Sequence, residues 1–263
     1  MAGTDRAISV LRLFTLSRPS WSVEEAGTAL GVSTASAYRY FAALVDGGLL
    51  TPSTKARYIL GPAIIQYDRQ IQLTDPMLRA ARPIMNDAIR TAPPDTTVLL
   101  CRIFRDKVLC VHQIGDDHAQ PAVSYERGRP MQLFVGATSK VILAHLPSRD
   151  LRNLYEHDRD RIEAAGLGRD WSAFKAALSS IRKAGYAVTS SEVDLQRIGV
   201  AAPILNDRRA IGSLSYVIPA AHESSTTRLI PLAIAGARAI ERAMQDEGTL
   251  DGQSAKLSVE SPA

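Results

Sequence analysis

The sequence predicts an α+β protein in two parts: a small helical unit closed by a β-hairpin, then a larger unit with helices grouped around one antiparallel sheet. Three observations predict it. Two short helical segments flank a glycine turn at Gly31, and the second stops at Gly47-Gly48. Apolar runs occur in adjacent pairs, Thr97–Phe104 with Val108–Ile114 and Gly199–Leu205 with Ala210–Ile218, each pair joined by a short polar turn. That is the signature of hairpins. Helical periodicity lies between these pairs and after them, which fits helices gathered around a single sheet.

The bulk numbers set the bounds. The chain has 263 residues, enough for two domains of ~100–200 residues each. Hydrophobic residues make up 46% and charged residues 22%, the composition of an ordinary globular chain. The net charge of +4 permits a polyanionic partner and argues only weakly for one. Two cysteines, Cys101 and Cys110, sit in apolar runs, which favours buried strand cysteines over a disulfide framework or a redox site. No apolar leader and no 18-residue apolar run is present, so the reading is a cytoplasmic chain with neither signal peptide nor membrane span.

Asp5–Thr15 carries Ile8, Leu11 and Phe14 at helical spacing and reads as a buried helix. Ser22 with Glu25 forms a capping box for a helix over Val23–Leu30, and Gly31 ends it in the left-handed conformation. Ser33 or Thr34 caps the next helix, Ala35–Asp46. Two short β segments follow around a polar, basic turn that holds Lys55 and Arg57. Helix, glycine turn, helix and hairpin in that order make a winged helix-turn-helix over residues 1–61. The second helix opens on small hydroxyl residues, Ser33, Thr34, Ala35 and Ser36, with Tyr38 and Arg39 one turn on. That composition lets a helix enter a groove about 12 Å wide and offers donors to phosphates and base edges. Lys55 and Arg57 are the wing's candidate phosphate or minor-groove contacts. Charge adds little: residues 1–60 hold six basic and four acidic residues, a net of +2.

Pro62 begins a helix over 62–75 with Ile64, Tyr67 and Ile71 on one face, a linker suited to pairing with a second copy. Residues 76–247 form the larger domain. Its expected elements are a helix from Met77, the four strands above, a weak strand over Pro121–Tyr125, helices at Ser139–His145, Arg149–Tyr155 and Ser172–Ala184, a strand at Tyr186–Ser190, and a last helix over Ser224–Gln245. The polar segment 248–263 is expected to be disordered.

Several blocks now combine. Arg6-Ala7-Ile8-Ser9-Val10-Leu11-Arg12-Leu13-Phe14, Ala26…Leu30-Gly31-Val32-Ser33…Tyr38-Arg39…Leu44 and Arg57-Tyr58-Ile59-Leu60-Gly61 resemble the N-terminal domain of the IclR family of transcriptional regulators. Gly136-Ala137-Thr138-Ser139-Lys140-Val141-Ile142-Leu143-Ala144 and Lys183-Ala184-Gly185-Tyr186-Ala187-Val188…Glu192…Gly199-Val200-Ala201-Ala202-Pro203-Ile204 resemble two blocks of its C-terminal domain. The resemblance spans residues 5–245. It implies a GAF-like effector-binding domain, a homodimer or dimer of dimers, and double-stranded operator DNA and a small-molecule effector as partners. It also implies an effector site at Leu133, Gly136, Ala137, Ser139, Glu192, Gly199, Ser213 and Ser215. One departure stands at Pro130–Ala137, where Met131-Gln132-Leu133 replaces the family's usual histidine-containing stretch.

No catalytic motif, cofactor or metal site is expected. The loose group His112, Asp116, Asp117 and His118 reads as a polar hairpin end rather than a metal site. Lys140 is either structural or the partner of an acidic effector, with structure favoured. Arg102 and Arg127 are weaker anion candidates. The rival reading, a small-molecule enzyme or sensor with an appended helix-turn-helix, needs a paired nucleophile and base in the pocket.

Overall fold

The computed structural model describes residues 3–115 and 123–259. The chain divides into two compact units, Met1–Asp75 and Pro76–Ala263.

The first unit holds α1 (Gly3–Leu11), α2 (Val23–Leu30), α3 (Thr34–Asp46), β1 (Leu50–Pro52), β2 (Tyr58–Leu60) and α4 (Ala63–Thr74). The capping box forms as read: Glu25 N–H donates to Ser22 Oγ at 3.2 Å, and Ser22 N–H donates to the Glu25 carboxylate at 3.2 Å. Gly31 takes φ +63° as the left-handed cap of α2, a conformation that any side chain would strain. Ser33 caps α3 through Ser36 N–H. Val10, Trp21, Val23, Ala26, Phe41, Leu44 and Leu50 form the core. Burying such side chains contributes about 1.5–3 kcal/mol for each large one. Phe41 meets Tyr58 edge-on at 4.9 Å, which fastens α3 to the hairpin. β1 and β2 pair antiparallel with Leu50 opposite Leu60, and Trp21 bridges to Tyr58.

One difference from the reading arises here, in the first helix. The first helix ends at Leu11, and Ile8 is exposed while Val10 is the fully buried residue. The chain turns at Leu13 and Phe14, whose backbone N–H groups bond back to Val10 and Leu11, so the apolar triplet is not one face of one helix. The helix α4 has no buried residue, and Ile64, Ile65, Tyr67, Ile71 and Leu73 are all exposed on it.

The second unit holds α5 (Pro76–Thr91), β3 (Thr97–Phe104), β4 (Lys107–Gly115), β5 (Pro130–Gln132), α6 (Ala137–Leu143), α7 (Ser148–His157), α8 (Arg159–Ala164) and α9 (Trp171–Ala184). Then come β6 (Ala187–Ser190), β7 (Arg197–Asn206), β8 (Arg209–Pro219), a 3-10 turn at Ala220–Ser225, and α10 (Thr226–Val259). The strands make one antiparallel sheet in the order β5-β4-β3-β8-β7-β6. Strand periodicity divides its side chains between two cores. Val98 and Leu100 of β3, with Leu214, Tyr216 and Ile218 of β8, face α5 and α10. Leu99, Cys101 and Val217 face the other way, into the helices α6 to α9. Both faces are covered, so the middle strands are apolar at consecutive positions rather than at alternate ones.

The third strand is Pro130–Gln132, not 121–125. Pro121 and Ala122 lie outside the described residues, and Val123–Tyr125 is irregular. The six-residue α8 has a single buried apolar residue, Ile162, so it carries no periodic signal. α10 continues to Val259, past Gln245, where the sequence reading stops it and expects a disordered tail.

Candidate functional site

The first surface is built on α3. Ser33, Thr34, Ala35, Tyr38 and Arg39 are exposed along one side, while Ala37, Tyr40, Phe41 and Leu44 are buried on the other. Ser36 is half-buried, and its hydroxyl accepts from Ser33 Oγ at 3.0 Å. The Tyr38 hydroxyl donates to Glu24 of α2 at 3.1 Å. This bond raises the phenol above its ordinary value and ties the exposed helix to the one behind it. Lys55 stands at the tip of the hairpin, exposed, in the left-handed region with Ala56.

Arg57 differs from its expected role as a wing phosphate contact. Its Nε donates to Ser20 Oγ at 2.9 Å, and one terminal nitrogen donates to Ser20 O at 2.8 Å and to Glu25 at 3.0 Å. Arg18 reaches the same carboxylate at 3.1 Å and lies over the Trp21 ring. Arg57 therefore braces the hairpin against the start of α2. The Arg57 contact is the chief cause holding Glu25 down at about 2, against an ordinary 4.5. A carboxylate depressed in the folded state stabilises above its unfolded pKa and loses that contribution as pH falls through the folded one. In Arg57→Ala that contribution shrinks. The gap in melting temperature between wild type and Arg57→Ala is thus expected to be constant above about pH 5 and to close between pH 4.5 and 2. Paired thermal melts across that range check it; a gap independent of pH removes the ion pair as its cause. The group is exposed, so salt is expected to narrow the gap too.

The second site lies where α6 meets the β6–β7 loop. A cavity of about 30 Å³ is lined by Gly136, Ala137, Thr189, Glu192, Arg197 and Gly199, with Tyr125, Thr138, Val193, Asp194 and Val217 completing its wall. Four predicted positions thus come together: Gly136, Ala137, Glu192 and Gly199. The other four do not line it. Leu133 is buried and borders a separate surface cleft with Ile103 and Leu154. Ser139 is buried against the Tyr125 hydroxyl at 2.7 Å. Ser215 Oγ accepts from Thr138 Oγ1 at 3.0 Å, and Ser213 Oγ donates to Thr138 O at 3.3 Å. These two serines do share one side of β8, as their spacing requires, but they seat α6 on the sheet instead of facing the void.

The polar groups of the site are mostly engaged. Gly136 N–H donates to Glu192 Oε2 at 3.0 Å, and Ala137 N–H donates to Thr189 Oγ1 at 3.0 Å. Lys140 Nζ lies 2.6 Å from Glu192 Oε1 and 3.3 Å from Ala165 O. Asp194 accepts from Ser124 N–H at 2.9 Å and from the Ser124 hydroxyl. Arg197 is buried and donates to Asp95 O at 2.8 Å. Burial pushes the Tyr125 phenol up, so it stays neutral. The sequence reading missed Tyr125, Thr189, Asp194 and Arg197. The one available signal was the polar stretch 189–197 between two apolar strands.

The remaining candidates are placed as follows. Cys101 and Cys110 are buried free thiols directly paired across β3 and β4, and burial followed by the Cys110 contact pushes the Cys101 thiol up. His112 is half-buried, and burial lowers its pKa; Asp116, Asp117 and His118 lie outside the described residues. Arg127 Nε donates to Val111 O. Among the described residues no group of three metal-ligating side chains gathers, and no helix is long and apolar enough to cross a membrane.

Comparison with known proteins decides the family. The model of the IclR helix-turn-helix domain matches residues 3–53, and the model of the bacterial transcriptional regulator IclR C-terminal domain matches residues 73–242. The chain belongs to the IclR family. Its relatives include the HTH-type transcriptional regulator KipR of Bacillus subtilis (strain 168), 23% identical over 209 residues, covering 79% of this chain and 82% of KipR. The fold matches an IclR transcriptional regulator from Alicyclobacillus acidocaldarius with a TM-score of 0.73 and 19% identity, covering 92% of this chain and 98% of that one. It also matches an IclR homolog from Microbacterium hydrocarbonoxydans complexed with 4-hydroxybenzoate, with a TM-score of 0.69 and 16% identity, over 93% of this chain and all of that one. IclR membership accounts for the order of the two units, a helix-turn-helix with a hairpin before a sheet domain.

Proposed function

We propose that this IclR-family regulator binds operator DNA as a homodimer, and that a small organic or aromatic acid bound in the C-terminal unit changes its DNA affinity. The exposed side of α3 carries the reading. A helix whose inner face is fully packed, and whose outer face offers Thr34, Ala35, Tyr38 and Arg39, has the shape and chemistry to lie in a major groove. Dimerisation is supported by α4, whose Ile64, Tyr67 and Ile71 are exposed in the single chain and gain burial against a second copy. Paired subunits place two recognition helices on half-sites about one helical turn apart.

The acid is supported by the buried ammonium of Lys140 beside the cavity, and by the 4-hydroxybenzoate complex of a fold relative. The residues proposed to meet it are Gly136, Ala137, Lys140 and Gly199, with Glu192 at the edge of the same site. An effector acts by binding one dimer geometry better than another. Fluorescence anisotropy on operator DNA selected from a random pool, with carboxylic and aromatic acids titrated in, tests this. At least one acid is expected to shift DNA affinity by about 5- to 150-fold, the usual range of allosteric coupling. Identical DNA affinity across the panel removes the acid-gated reading.

A further inference from the structure

A cavity of about 30 Å³ has room on the order of one or two water molecules. An aromatic acid does not fit without displacing something. Lys140 is nine-tenths buried, with its side chain 9% exposed, and a buried ammonium needs an opposite charge. Here that charge comes from within the chain. One oxygen of Glu192 sits on Lys140 Nζ, and the other takes Gly136 N–H. The carboxylate is therefore held in the two-point manner of a bound ligand, yet its side chain is 31% exposed.

Glu192 belongs to a short loop, residues 191–196, joining β6 to β7. Ser191 and Gln196 bound this loop with φ of +55° and +59°. Non-glycine residues in that region store strain and persist where surrounding contacts hold them. Backbone bonds hold its ends, Ser191 N–H to Arg197 O and Ala220 N–H to Gln196 O, and side chains hold its middle, Glu192 on Lys140 and Gly136 N–H and Asp194 on Ser124. Val193 lies over Gly136, 2.8 Å from where a Cβ would stand. Glu192 also borders two open clefts, one with Gln132 and Arg161 and one with Ile181 and Tyr186. It is the shared wall between the small cavity and both clefts.

We propose that Glu192 is a built-in surrogate ligand: its carboxylate occupies the anion position on Lys140 and Gly136 N–H, and a small monocarboxylate binds by exchanging with it. The exchange releases the Glu192 side of the 191–196 loop while its ends stay bonded, and joins the cavity to the clefts, making the volume an aromatic or branched acid needs. This inference rests on the effector-binding reading of the domain. It deepens that reading by naming the displaced group and the class of ligand, one negative charge with two acceptor oxygens.

Emptying the position tests it. In full-length Glu192→Ala, sodium formate or acetate is expected to raise the melting temperature by about 2–4 °C beyond sodium chloride of equal ionic strength. Acetamide, the neutral isostere of acetate, is expected to do nothing, and formate and acetate are expected to shift wild type less than the variant, because there they must displace the Glu192 carboxylate. Adding Lys140→Met to Glu192→Ala is expected to abolish the response. If Glu192→Ala does not fold, Glu192→Gln keeps the volume while removing the countercharge, and the same titration applies. Equal effects of formate, acetate and chloride on the variant overturn the proposal, as does a wild-type response of the same size. The titration contains neither DNA nor metabolite. It therefore fails only if the position takes no carboxylate, whereas an acid panel without effect on DNA affinity bears on the regulatory reading.

Discussion

Arg39→Ala is expected to weaken binding to selected operator DNA by about 5- to 150-fold per half-site, the 1–3 kcal/mol typical of a bidentate contact to a guanine edge. Arg39 is exposed, one turn after Ala35 and Ser36 on the outer side of α3, where a recognition helix presents its reading residues. The loss is expected to fall on the selected sequence, with binding to random DNA less affected. Lys55→Ala is the contrast. On the proposed reading Lys55 meets phosphate, so its loss is expected to lower affinity for all sequences alike and to reduce the salt dependence. Anisotropy at three salt concentrations on selected and random duplexes separates the two. If Arg39→Ala weakens both duplexes equally, Arg39 is a backbone contact and base reading lies elsewhere on the helix. If neither duplex is affected, α3 is not the reading element.

The N-terminal unit was legible because its signals are local. Ser22 and Glu25 are three residues apart, and Gly31 ends α2 where the apolar pattern stops. What the sequence hid is what depends on distant partners. Arg57 reads as a free wing cation until Ser20 and Glu25, 37 and 32 residues away, are placed against it. Ser213 and Ser215 share a strand face, as their spacing requires, but their partner Thr138 on α6 is 75 and 77 residues away. Spacing alone does not tell a cavity wall from a helix seat. Glu192 and Gly136 do meet, through the Gly136 N–H bond to the carboxylate. The Glu192 bond from Lys140 over 52 residues, which engages the carboxylate within the chain, leaves no trace in spacing. Hairpins β3–β4 and β7–β8 were legible for the same reason as the caps, whereas the pairing of β3 with β8 joins strands more than a hundred residues apart and leaves no periodic trace.

That long-range pairing sets the second large effect. Gly212→Ala is expected to destabilise the C-terminal unit by about 2–3 kcal/mol, the upper part of the range for overpacking. Gly212 lies on β8 between β3 and β7, opposite Arg102 on one side and Ile204 on the other. A Cβ there would stand 2.3 Å from the backbone oxygen of Cys101 and 3.2 Å from Met77 Sδ. The thioether can move; the carbonyl belongs to the paired strand and cannot move without opening the ladder. The pairing of β7 with β8 skips Ile211, so β8 already carries a bulge beside the glycine. The melting temperature of the sheet domain is expected to fall by about 4–12 °C. Because β8 also seats α6 through Ser213 and Ser215, the carboxylate response of Glu192→Ala is expected to weaken when Gly212→Ala is added. A stable Gly212→Ala protein with an unchanged melt would mean that β3 and β8 take up the added Cβ without loss, which removes overpacking at this glycine as a source of instability.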